Sequence, residues 1–264
     1  MKDLVKEALF AIGFRVGKLT SPEQVGDLIR RLHPRDCGRD LIRVGGQADG
    51  GYLLPDDLEG IEYCFSPGVS TIADFENQLA DRGIRSFLAD YSVSSPPVMR
   101  QEFTFDKRYL GVVEDDVYVT LSGWKKKYLG DYSREMILQM DIEGCEYEVL
   151  LSVPDDLLDQ FRIVVIEFHN LELLFDPYAF RLYKMCFDKL LRLFHVAHLH
   201  PNNWDRVTRH GGIEIPHMIE FTFYNRRRGR PCGYANVFPH PLDRDNVIDK
   251  PHLTLPHCWY SHEA

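Results

Sequence analysis

Apolar residues in this chain fall in short dense runs, and the runs alternate with stretches of helical period. Ile61 to Phe65, Ser86 to Ala89, Val117 to Thr120, Met136 to Met140, Arg162 to Phe168, Val196 to Leu199 and Ile219 to Tyr224 read as strands. Between them, Thr71 to Arg82 sets Ile72, Phe75 and Leu79 on one helical face, and Gly83 stands where a glycine ends a helix. Leu121-Ser122-Gly123-Trp124 opens a short helix and Glu146 to Leu151 forms another. Pro177 to Leu193 is a long amphipathic helix carrying Phe180, Tyr183, Phe187, Leu190 and Leu191. This alternation predicts an α/β fold with a doubly wound, mostly parallel sheet.

Two helices precede the first strands. Ser21-Pro22-Glu23 is a cap with proline at the first helical position, and the helix runs through Leu28, Ile29 and Leu32 to Pro34. Further upstream, Lys2 to Lys18 spaces Leu4, Val5, Ala8, Leu9, Ile12 and Val16 as an amphipathic helix, expected to dock on the domain rather than on a membrane. After Leu41 to Val44 comes a glycine-rich loop, Gly45 to Tyr52. It reads either as a hairpin with Asp49-Gly50 at its tip or as backbone that approaches a ligand closely. The tail from Arg226 to Ala264 is rich in Pro, His, Arg and Asp and is expected to wrap the surface. The organisation is thus 1–40, a helical segment; 41–225, the main domain; and 226–264, the tail.

Composition narrows the partners. With 44% hydrophobic and 27% charged residues, the 264-residue chain folds around a core rather than remaining disordered. Its net charge of -9 argues against bulk electrostatic binding to nucleic acid, while leaving room for a local basic pocket. The six cysteines form no CxxC pair, which argues against a zinc ribbon and fits reduced thiols in the cytoplasm. No run approaches the roughly 20 apolar residues of a membrane span. Lys2 to Lys18 lacks the small-residue cleavage site of a signal peptide.

The candidate chemistry gathers at strand ends, where ligands bind in an open α/β sheet. Ser66-Pro67-Gly68 is a β-α turn, and Asp90 follows Gly68 by 22 residues at the end of the next strand. A glycine, a helix start and an acid at that spacing suit a nucleotide-type cofactor, with the acid on ribose hydroxyls. An ordinary β-α-β unit with no cofactor is the alternative. A second cluster comprises Asp141, Glu143 and Glu146 after one strand and Glu167, His169 and Asn170 after another. Asp141, Glu167 and His169 are types that ligate Mg²⁺ or Mn²⁺, and His169 also suits a general base. Glu146 and Glu148 have a plainer role as acids in the first turn of a helix. A third set, His198 to Asn203, puts His198 and His200 on one face of a strand. It is able to bind sugar hydroxyls, a base or a metal, or to serve as a polar turn. The basic run Arg226 to Arg230 reads as a solvated loop, with an anionic partner as the alternative.

Phe65 to Ser70, Leu88-Ala89-Asp90, Met140 to Tyr147, Glu167-Phe168-His169, the His200-Pro201-Asn202-Asn203 turn and Ile219-Glu220-Phe221 resemble the FkbM family of S-adenosylmethionine-dependent methyltransferases. The resemblance spans about Arg43 to Asn225, and Asp141-Ile142-Glu143-Gly144-x-Glu146 is its most specific part. It implies a seven-stranded class I, Rossmann-like sheet with the last strand antiparallel. It places Ser66 and Gly68 on the cofactor, Asp90 on its ribose and Asp141 beside the transferred methyl. It further implies O-methylation of a sugar, glycan or secondary metabolite, a small-molecule or glycan acceptor rather than nucleic acid. The expected base is His169, with His200 as the alternative. Ser66 stands where a glycine is commoner in methyltransferases. A metal-dependent hydrolase using Asp141, Glu167, His169 and His200, and a non-catalytic cofactor-binding scaffold, are the rival readings. The rim loops Gly45 to Tyr52, Pro96 to Phe105 and Pro201 to Arg209 are expected to shape the acceptor pocket.

Overall fold

The computed structural model describes residues 2–14 and 16–261. Its central sheet has seven strands: β1 (Tyr63–Pro67), β2 (Arg85–Ala89), β3 (Phe103–Asp106), β4 (Met136–Met140), β5 (Phe161–Phe168), β6 (Phe194–Pro201) and β7 (Ile219–Asn225). They lie in the order β6-β7-β5-β4-β1-β2-β3. The strands from β5 to β3 are parallel, and β7 pairs antiparallel with β5 and β6. This is the order of a class I methyltransferase sheet, with the antiparallel last strand that was expected. The chain steps outward from β1 to β3 and then returns to β4, so the topological switch lies between β1 and β4, where such sheets bind ligands.

The helices are α1 (Lys2–Ala11), α2 (Pro22–Arg31), α3 (Asp74–Ala80), α4 (Leu121–Leu129), α5 (Glu146–Ser152), α6 (Asp155–Leu158) and α7 (Pro177–Leu193). Every residue of β4 and β5 is buried, and alternate side chains enter opposite layers. Met136, Leu138, Met140, Val164, Ile166 and Phe168 pack with Trp124, Tyr147 and Phe187 of α4, α5 and α7. Ile137, Ile163 and Val165 face Phe75 and Leu79 of α3, together with Val44, Tyr52 and Leu54. Covering on both faces explains why these strands read as near-continuous apolar runs.

The glycine-rich loop closes a hairpin, Leu41–Gly45 paired with Gly51–Pro55. Ser21 caps α2 by accepting from the Gln24 amide, and Val25, Leu28 and Ile29 join the main core with Trp259 of the tail. Three expectations are corrected. Phe103–Asp106, whose first three residues were placed in a rim loop, is the edge strand β3; four residues, three of them half-buried, are too few for periodicity to show. Tyr118–Val119 is a strand but stands outside the main sheet, paired with Tyr109–Leu110. Helix α1 ends at Ala11 and does not dock: Leu4, Val5, Phe10 and Ile12 remain exposed.

Asp57, just past the hairpin, anchors the sheet's other edge. Its carboxylate accepts from Arg228 Nε and Nη2, each at 2.9 Å, and from the Tyr224 hydroxyl at 2.5 Å, with Arg162 Nη1 at 3.5 Å. Burial raises its pKa, but hydrogen bonds from Arg228 and Tyr224 and the charge of Arg162 outweigh that and hold it below the ordinary carboxylate range. Asp57→Ala leaves Arg162 without this carboxylate and is expected to cost about 3–5 kcal/mol in urea denaturation. A depressed folded pKa means the stabilisation is complete at neutral pH and is lost as pH falls through that pKa. The gap between wild type and variant should therefore shrink in acid; a constant gap would assign the loss to packing.

Candidate active site

The turn after β1 and the end of β4 meet at the switch point. Gly68 has φ +90°, and a Cβ there would overlap the Asp141 carbonyl oxygen. The Gly68 amide donates to Ala89 O at 2.9 Å and the Asp141 amide to Pro67 O at 3.2 Å, so three strand ends are drawn together. Among the described residues, the non-glycine positions with positive φ are Ser70, Glu143 and Asn170, which follow β1, β4 and β5. Backbone strain is thus concentrated at this edge, as it commonly is at functional sites.

Two clefts open here. One, of about 410 Å³, is lined by Gly68, Asp90, Tyr109, Tyr118, Asp141 and Ile142, among others. The other, of about 180 Å³, is lined by Asp49, Tyr52, Gly68, Gln139, Asp141 and Glu143, among others. Asp90 ties the cleft walls: one carboxylate oxygen accepts the Ser70 amide at 2.8 Å, the other the Ser92 amide and hydroxyl at 2.7 and 2.6 Å. Ser66 lines neither cleft. Its hydroxyl is buried against Glu76 and Gln139, the latter at 2.7 Å, so any part it has in cofactor binding is indirect.

Asp141, Glu167 and His169 do converge, with one ligand atom from each lying within 4.8 Å of the others. His169 Nδ1 is 3.1 Å from Glu146 Oε1, which also accepts the Gly144 amide at 2.9 Å. The acid in the first turn of α5 therefore both caps the preceding loop and orients the imidazole. His169 Nε2 lies 3.4 Å from Glu167, 3.6 Å from Glu143 and 3.8 Å from Asp141. Asn202 donates to the far oxygen of Glu167 at 3.0 Å. Burial, with Glu220 adding to it, pushes Glu167 up to about 8. Burial and the charge of Glu167 hold Asp141 well above its usual value. Burial lowers the pKa of His169, but the hydrogen bond and charge of Glu146, then Glu167 and Asp141, carry it up to about 9.

His200 is placed elsewhere in the same row of side chains. In register across the sheet, Glu167 stands opposite Glu220, and Glu220 opposite His200. His200 pairs with Asp243 of the tail at 3.7 Å, and His198 bonds the same carboxylate oxygen at 2.8 Å, so the two histidines do share a face. Asp49, at the hairpin tip, forms a second close set with Glu167 and Glu220. Asn246 bridges the two outer acids, donating to Glu220 at 2.6 Å and to Asp49 at 3.2 Å. Burial raises Glu220 to about 7. Sequence reading gave no site role of their own to Asp49, named only at the hairpin tip, or Glu220, named only within a resembling strand, and did not name Asp243 or Asn246. Glu220 carried a signal, a lone acid inside the apolar run from Ile219 to Tyr224.

Residues 89–197, from the end of β2 into β6, match the methyltransferase FkbM domain. That stretch is similar to the FkbM methyltransferase domain. The FkbM match includes Asp90, Asp141, Glu146, Glu167 and His169 but stops short of His200 and Glu220. The solved structure "METTL16 MTase domain" is a remote likeness: 10% identity over 84% of this chain and 78% of that one, with a TM-score of 0.31. No curated protein matches the chain. Among the described residues, no helix is long and apolar enough to cross a membrane.

Proposed function

We propose that this FkbM-like domain transfers the methyl group of S-adenosylmethionine to a hydroxyl oxygen of a sugar, glycan or secondary metabolite. One observation carries the reading: His169 is fixed at Nδ1 by Glu146, while its Nε2 faces Asp141 and Glu143, which line both clefts. The larger cleft takes the adenosine, with Asp90 at the ribose. Gly68 lets the backbone approach the methionine end, and the smaller cleft admits the acceptor. When bound, S-adenosylmethionine would supply an electrophilic methyl group on a sulfonium for the acceptor oxygen to take. The acceptor proton passes to His169 Nε2. A bare hydroxyl is a poor nucleophile, so this proton transfer matters alongside positioning.

Cofactor binding sets the base. In the cofactor-free protein the acids around His169 favour the imidazolium. A sulfonium beside Asp141 adds a positive charge, which lowers the pKa of His169 and favours the neutral ring. His200, beside Asp243 and Glu220, fits contact with acceptor hydroxyls better than the proton transfer. Asp141, Glu167 and His169 also fit Mg²⁺ or Mn²⁺, with Glu146 behind the histidine as a carboxylate commonly stands behind a metal-bound imidazole. When bound, such an ion would polarise the acceptor hydroxyl. The acidic clefts and the net charge of -9 support a small neutral acceptor over nucleic acid. The free cysteines among the described residues fit a cytoplasmic setting.

Calorimetry with S-adenosylmethionine and S-adenosylhomocysteine, with and without Mg²⁺, tests this. Micromolar binding of both is expected, weakened by at least about tenfold in Asp90→Ala. A heat for Mg²⁺ that disappears in Asp141→Ala would favour the metal-assisted form. A folded protein that binds neither nucleoside sinks the proposal.

A further inference from the structure

A separate pocket lies at the opposite edge of the sheet, where β6 begins and β7 ends. Its volume is about 350 Å³, and Arg31, Arg35, His195 and Arg226 are among its lining residues, with no Asp or Glu. We propose that this pocket binds a phosphate-bearing small molecule between Arg35 and Arg226.

The two guanidiniums are held in place without being neutralised. Arg226 Nε donates to Leu191 O at 2.9 Å and to Phe194 O at 3.1 Å, at the end of α7 and the start of β6. Its terminal nitrogens carry no hydrogen bond among the described residues. Arg35 lies 3.5 Å above the Tyr234 ring, and its strand pairs with the tail at that residue. Neither arginine has a carboxylate within ion-pair distance among the described residues, whereas Arg31 is held by Asp188 at 2.6 Å. The neighbouring acid Asp36 is turned to cap the Gly38 amide at 2.8 Å. The basic run is likewise divided: Arg227 pairs with Asp159 and Arg228 with Asp57, and Arg226 alone of the three lines this pocket. Fixed planar forks with free N–H groups, converging on one concavity, match the oxygens of a phosphate. The volume exceeds what a lone phosphate fills, which leaves room for an organic portion. Burial, then the charges of Arg226 and Arg35, depress the His195 pKa to about 4, so His195 reports on the pocket.

The probes are inorganic phosphate and pyrophosphate, titrated into the full chain by calorimetry. Saturable 1:1 binding is expected, weakened roughly tenfold by Arg35→Gln alone and by roughly a hundredfold or more in Arg35→Gln/Arg226→Ala. Arg230→Ala, outside the pocket, should leave it unchanged. A histidine NMR titration gives a second readout, because an anion between the arginines favours the imidazolium and should raise the His195 pKa. Arg35→Gln serves if loss of the Arg226 anchor disturbs folding. No saturable binding at millimolar pyrophosphate by the folded protein, or equal binding by a folded double variant, would overturn the proposal. Neither result bears on methyl transfer at the other edge.

Discussion

His169→Gln is expected to lower kcat by about 10²- to 10⁴-fold while the S-adenosylmethionine dissociation constant changes by no more than roughly threefold. Glutamine keeps a polar group near Glu146 but has no ring nitrogen to accept the acceptor's proton. The proposed cofactor contacts, at Gly68 and Asp90, follow β1 and β2 and should persist. The pH profile gives the sign. His169 must be neutral to act as base, so kcat should rise with pH and level off above its pKa in the complex. That inflection should fall below the value of about 9 that its acidic neighbours impose in the cofactor-free protein, because the sulfonium opposes protonation. Glu146→Gln removes the charge that holds the imidazolium and should move the inflection lower still. If His169→Gln loses cofactor affinity and turnover in equal measure, the residue is structural and the base lies elsewhere.

Gly68→Ala is expected to destabilise the fold by about 2–5 kcal/mol, from the left-handed backbone and from overpacking. It should also weaken cofactor binding by at least about tenfold, since a backbone shift there opens the joint between β1 and β4. The methyl group would meet the Asp141 carbonyl; its position is fixed by the backbone and its partner is main chain, so neither can swing aside. Gly83→Ala is the matched control. It too has positive φ, at +80°, but nothing lies within 4 Å of the added carbon. It should cost only about 1–2 kcal/mol and leave binding alone. Chemical denaturation and calorimetry on both variants decide this. Equal losses in the two would show that only the dihedral matters and that the contact with Asp141 is soft.

The sheet was legible because its central strands are covered on both faces, so apolar runs such as Ile163 to Ile166 stand out against polar turns. The edge strand β3 was not, since half-covered residues leave no run to see. At the site, Asp141, Glu167 and His169 were legible as a group because parallel strands deliver their ends to one edge. Ser66 was misjudged: a residue in the right turn says nothing of where its hydroxyl points. Asp49, Asp243 and Asn246 were hidden for a different reason. Their partners lie across the sheet or at the far end of the chain, and a single sequence does not carry that pairing.

The Asn246 side chain joins Asp49 to Glu220 across 197 and 26 residues of sequence respectively. A tail residue thus sets how far the hairpin tip stands from the sheet, and with it the width of the gap above Glu167. The edge that would grip the cofactor is built from other pieces, β1, β2 and β4. Lengthening, shortening or exchanging the tail would therefore act like changing the jaw of a vice whose bed stays fixed: the set of molecules admitted would alter, while the reaction performed on them would not.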